Sequence, residues 1–251
     1  WHRNLLEYLN SNPFMRELVI ENHGKERLDF SGTSIDRLSV DMTGIDELIL
    51  NDDLSMLILL GEVKDGCRIK ACDGGRTLIL QCDGEVPKLQ GLEELEKLHI
   101  IKINELDIAY ILKAYPKLRE LRLWGKPGNL TNFAKVSEFS ELEVLTTMDL
   151  FGFTAGEVPK PEDLQKLYML WMESLPEDVA KEVKRLYKKR KDEGLDLWIT
   201  KPRKAEWLAQ NLDNPFRSWD GEENISPANA KKAAAIYRKT RAAMVKLVEE
   251  P

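Results

Sequence analysis

Leu95-Glu96-Lys97-Leu98-His99-Ile100 and Leu118-Arg119-Glu120-Leu121-Arg122-Leu123 share one spacing, L-x-x-L-x-L. The last three residues of each alternate apolar, polar, apolar, the period of a short strand with one buried face. The same short core recurs on both sides. Leu28-Asp29-Phe30, Leu38-Ser39-Val40 and Leu48-Ile49-Leu50 follow one another at intervals of ten residues, and Leu78-Ile79-Leu80 comes thirty later. Leu57–Leu60 and Arg68–Lys70 keep the beat between them. Beyond residue 90 the interval lengthens to 22–24 residues, through Leu98, Leu121, Leu145 and Leu167. A fixed return interval predicts a solenoid, in which each turn buries its face by stacking on the next. The longer units leave room for a helix before the strand, and Asp107–Tyr115 and Thr131–Phe139 are helix-compatible.

The chain has 251 residues, 43% hydrophobic and 32% charged. That is enough apolar material for a full core and excludes a disordered chain. No apolar run approaches the ~18 residues of a membrane-spanning helix.

Over residues 26–172 these segments resemble the leucine-rich repeat family, most closely at Leu95–Ile103 and Leu118–Trp124. The chain departs from the family in lacking its regular Asn, since Ile103 and Trp124 or Gly125 stand near that place. Its early turns are also too short for helices. The resemblance implies an irregular α/β leucine-rich-repeat-like solenoid whose strand side is the ligand face.

Three segments are expected. Residues 1–25 form an N-terminal helical cap, with a helix over 4–10. Residues 26–175 form the solenoid, and residues 176–251 a helical, basic C-terminal module. Ser174-Leu175-Pro176-Glu177 reads as a capping box. It opens a helix whose apolar face is Val179, Val183, Leu186 and Tyr187, ending in the basic run Lys188–Lys191 before Gly194. Leu195–Thr200 alternates like one more strand, and residues 202–212 read as a helix around Trp207. Asn211–Ser226 reads as a linker. Ser226-Pro227 then starts a last helix, with Ala230, Ala233, Tyr237, Thr240, Met244 and Leu247 on one stripe.

Charge is uneven around the net −6. Residues 1–176 hold 20 basic against 30 acidic side chains, and residues 177–251 hold 17 against 13. A basic tail on an acidic body can bind nucleic acid, an acidic membrane surface or an acidic protein; the leading expectation is that it neutralises the body or is simply solvated. Cys67, Cys72 and Cys82 are odd in number and lack paired short spacings. They are expected to be buried free thiols rather than a zinc set, in a reducing compartment, the cytoplasm. The three histidines (His2, His23, His99) have no adjacent nucleophile. Asp73-Gly74-Gly75-Arg76 and Gly125-Lys126-Pro127-Gly128-Asn129 lack the order of a phosphate loop and read as turns. No catalytic residue, metal site or cofactor is assigned.

In an L-x-L strand the two Leu face the core and x faces away. The outward set is Asp29, Ser39, Ile49, Ile79, Gln81, His99, Ile101, Arg122, Trp124 and Tyr168. Trp, Tyr and Arg are enriched at binding hot spots. The candidate site is therefore Arg122, Trp124 and Tyr168, with His99 as a polar neighbour. It is either an external protein's docking face or a surface that the C-terminal module covers. The leading functional expectation is a non-catalytic protein–protein interaction module. The alternative is a nucleic-acid-associated protein using basic helices over 179–191 and 227–247, and the third is an enzyme with a site between solenoid and tail. No membrane partner is expected.

Overall fold

A computed structural model describes residues 4–12, 14–220 and 222–249. His2 and Pro13 lie outside them, as does the start of the expected N-terminal cap. The chain divides into two compact units, Trp1–Lys201 and Pro202–Pro251. The first is mixed α/β, and the second contains a long C-terminal helix.

The first unit opens with helix α1 (Leu5–Ser11). Short strands follow: β1 (Glu17–Ile20), β2 (Arg27–Asp29), β3 (Arg37–Asp41), β4 (Glu47–Ile49), β5 (Met56–Leu60), β6 (Arg68–Lys70) and β7 (Ile79–Asp83). Longer units complete it: β8 (Lys97–Asp107), α2 (Ile108–Ala114), β9 (Glu120–Thr131), β10 (Val144–Phe151), β11 (Met169–Glu173), α3 (Glu177–Leu186), α4 (Lys188–Asp192) and β12 (Asp196–Thr200). Nine strands make one parallel sheet in the order β1-β3-β5-β7-β8-β9-β10-β11-β12, and β2-β4-β6 make a second. The ten-residue beat thus alternates between two sheets, and Asp29 and Ile49 belong to the small one rather than to the face that carries His99.

One row of leucines crosses the large sheet. Leu18, Leu38, Leu57, Leu80, Leu98, Leu121, Leu145, Leu170 and Leu197 stand beside one another in unbroken register. The interior members are at most 3% exposed, while the two end members are half-buried. A parallel ladder with an inward row of this kind is locked, because a slip of one residue turns every leucine outward. Leu28, Leu48 and Ile69 of the small sheet join the same core, as do Ile108 and Ile111 of α2, Phe133 and Val136 of a 3-10 turn, and Val179 and Val183 of α3.

Helix α3 and strand β12 lie within the first unit, although composition had set residues 176–251 apart. β12 extends the sheet beside β11, and Tyr187 is buried with its hydroxyl donating to the Pro159 carbonyl at 3.0 Å. Helix α3 opens later than the expected Ser174–Glu177 capping box, which placed the cap at Ser174. The cap is Pro176, without a side-chain hydrogen bond. Arg190 of the basic run donates to the carbonyls of Pro161, Leu164, Gln165 and Leu167, tying α4 to the loop between β10 and β11.

Gly125–Asn129 is strand, not turn. A Cβ on Gly125 would stand 2.0 Å from the Asp149 carbonyl oxygen, so only glycine lets the backbones approach there. Of the three thiols, Cys67 and Cys82 are buried but Cys72 is exposed, because it starts a 3-10 turn rather than an inward strand position.

In the second unit, α5 (Ala205–Asn211) and α6 (Pro227–Glu249) stand on either side of the expected linker, in which Arg217–Trp219 form a 3-10 turn. Asn211 and Asn214 are buried there and bonded to each other. Ser226 caps α6 as expected, its Oγ accepting from the Asn229 amide. Among the described residues no helix is long and apolar enough to cross a membrane.

Candidate functional site

The register that buries the leucines sets a second row on the opposite face. Gln81, His99, Arg122, Thr146, Trp171 and Trp198 are neighbours in that row, one from each strand from β7 to β12. Its character changes along the sheet, from polar at β7 and β8 to aromatic at β11 and β12.

The polar part centres on Glu120, the first residue of β9. His99 Nε2 lies 2.7 Å from its Oε1, and Arg122 Nε donates to the same oxygen at 2.6 Å. An ionised carboxylate only accepts, so His99 donates through Nε2–H. The His99 and Glu120 side chains are 15% and 17% exposed. The hydrogen bond from His99, helped by Arg122, outweighs burial and holds the Glu120 carboxyl at about 2. Glu120 therefore stays ionised and fixes both neighbours. His23 behaves differently: it is buried between the Asp41 carbonyl and the Lys25 amide, a structural role.

The aromatic part is a shallow groove of about 310 Å³, in which Arg122, Trp124, Thr146, Met148, Trp171 and Trp198 meet. Trp171 and Trp198 pack edge to face, with centroids 5.7 Å apart. Trp124 and Trp198 remain 38% and 47% exposed. The Thr146 hydroxyl and the Trp171 indole N–H are buried and have no hydrogen-bond partner among the described residues. Such atoms cost about 1–3 kcal/mol each when left unpaired.

The fold brings Arg122 and Trp124 into this groove and joins His99 to them through Glu120. Tyr168 stands elsewhere. It is 54% exposed, one residue before β11, around a separate depression with Glu120, Arg119 and Val144. No protein-family model matches this chain, and no curated protein matches it either.

Three site residues escaped the sequence reading. Trp171 was missed because Leu164-x-x-Leu167-x-Met169 satisfies the repeat spacing as well as the true frame, Leu167-x-x-Leu170-x-Met172, which puts Trp171 in the position of Arg122. Trp198 is the x of Leu197-Trp198-Ile199 and was legible once that strand joined the sheet. Glu120 left no such signal, since its bond to His99 depends on the interstrand register. Among the described residues no group of three or more His, Cys, Asp or Glu side chains is arranged to hold a metal ion.

Proposed function

We propose that this chain is a non-catalytic protein-binding module, an irregular solenoid of leucine-rich-repeat type that takes a protein partner on the strand face of its large sheet. The observation that carries the reading is the groove at Trp124, Trp171 and Trp198. Three indoles on one face, two of them substantially exposed, sit beside a guanidinium aimed by Glu120. Large aromatic side chains with Arg supply most of the energy of protein interfaces. A clustered apolar surface of this kind marks a contact site. A scaffold of parallel strands holds the groove in place before a partner arrives, which lowers the ordering cost of binding. The in-register leucines support the repeat reading, because each strand brings one outward side chain to the same height. The proposal includes the cytoplasm as compartment, supported by three free thiols.

The test is paired capture from the native cell with wild type, Trp124→Ala and Trp198→Ala, each checked for an unchanged melting temperature. A partner retained by wild type should lose about 2 kcal/mol of affinity in each variant. Equal retention by all three proteins would remove the strand face from the interaction.

A further inference from the structure

The C-terminal unit contains a second cavity, of about 730 Å³, lined only by residues of Pro202–Pro251. That volume lies in the range of small-ligand sites. One wall is α5 with Trp207, another is the turn bearing Phe216 and Arg217, and the third is α6, which buries Ala230 and presents Lys231 and Arg238. The wall is held together by polar contacts. Arg203 is 8% exposed; its guanidinium lies 4.0 Å from the Trp207 ring centroid, and its Nη1 donates to Asp220 at 2.6 Å. Arg238 Nη1 donates to Oδ1 of the buried Asn211 at 3.0 Å.

The lining is unbalanced in charge. Among the described lining residues, Arg203, Lys204, Arg217, Lys231 and Arg238 stand with two carboxylates, Glu206 and Asp220, and Asp220 is engaged by Arg203. The Lys204 and Lys231 side chains are exposed, and neither ammonium has a hydrogen bond or ion pair among the described residues. Positive charge gathered around a concavity, on a chain of net charge −6, focuses the field on anions. Arg side chains with fixed geometry suit phosphate oxygens, while Trp207 and Phe216 add flat apolar surface. We propose that this cavity binds a small phosphorylated ligand with a planar ring, of the nucleotide class. The phosphates meet Lys204, Arg217, Lys231 and Arg238, and the ring lies against the aromatic wall. This inference does not depend on the strand-face reading.

The experiment is calorimetric titration of the full chain with ATP, inorganic tripolyphosphate and adenosine. ATP should bind saturably with one site, tripolyphosphate should compete, and adenosine should bind more weakly than either. Lys204→Glu/Lys231→Glu should weaken ATP at least about tenfold. Lys239→Glu/Lys246→Glu makes the same charge change on exposed α6 residues outside the cavity and should shift affinity less than about twofold. The proposal fails if neither ATP nor tripolyphosphate binds below about 5 mM. It fails equally if the two double variants weaken ATP alike, which marks diffuse attraction to a basic surface. Binding of a single-stranded oligonucleotide without binding of ATP overturns it in favour of a nucleic-acid site.

Discussion

Thr146→Val removes one oxygen from the groove and keeps the side-chain shape. Thr146 is 6% exposed on β10, between Arg122 and Trp171 in the outward row, and its hydroxyl has no partner among the described residues. An unpaired buried hydroxyl costs about 1–3 kcal/mol, and the methyl that replaces it loses nothing to desolvation. The free protein should therefore gain about 1 kcal/mol, which in a domain of this size raises Tm by about 2–4 °C. Scanning calorimetry of the two proteins in one buffer measures it. The same change should weaken a partner that supplies the missing hydrogen bond, so stability and affinity move in opposite directions. A Thr146→Val protein that melts lower than wild type refutes the reasoning, because the hydroxyl would then already be engaged in the free protein.

Glu120→Gln tests the polar half of the row. The Glu120 pKa is lowered from 4.5 to about 2, so the ionised form adds about 3 kcal/mol of stability that is complete above pH 4.5 and is lost as pH falls through 2. The stability gap between wild type and Glu120→Gln, measured by denaturant unfolding, should be widest near neutrality and narrow between pH 4.5 and 2. Leu121→Ala, at the middle of the leucine row and fully buried, should cost about 3–5 kcal/mol in the same assay. Tyr168→Ala should leave both stability and capture of the groove partner near wild type, since Tyr168 lines a different depression.

The leucine row was legible because alternation is local: Leu98, Leu121 and Leu145 each announce an inward position without reference to the others, and they are neighbours in the sheet. The alternation between two sheets was not legible, since Leu28 and Leu38 carry the same short pattern and only the path of the chain sends them to different sheets. Arg122 and Trp124 could be assigned to one surface from spacing alone. Trp171 could not, because the loop between Phe151 and Met169 permits two frames of equal apolar quality. Trp198 and helix α3 were set apart by their basic neighbours, yet burial of Val179, Val183 and Tyr187 ties that segment to the sheet. Composition describes the solvent side of a helix, whereas packing is decided by the other side.

The strand-face claim is tested most directly by site-specific photo-crosslinking, with a photoreactive side chain at Trp198 in one protein and at Arg68 of the small sheet in another. A partner captured by the wild type should form an adduct from position 198 and none from position 68. An adduct from position 68 alone would put the binding surface on the other sheet and contradict the account.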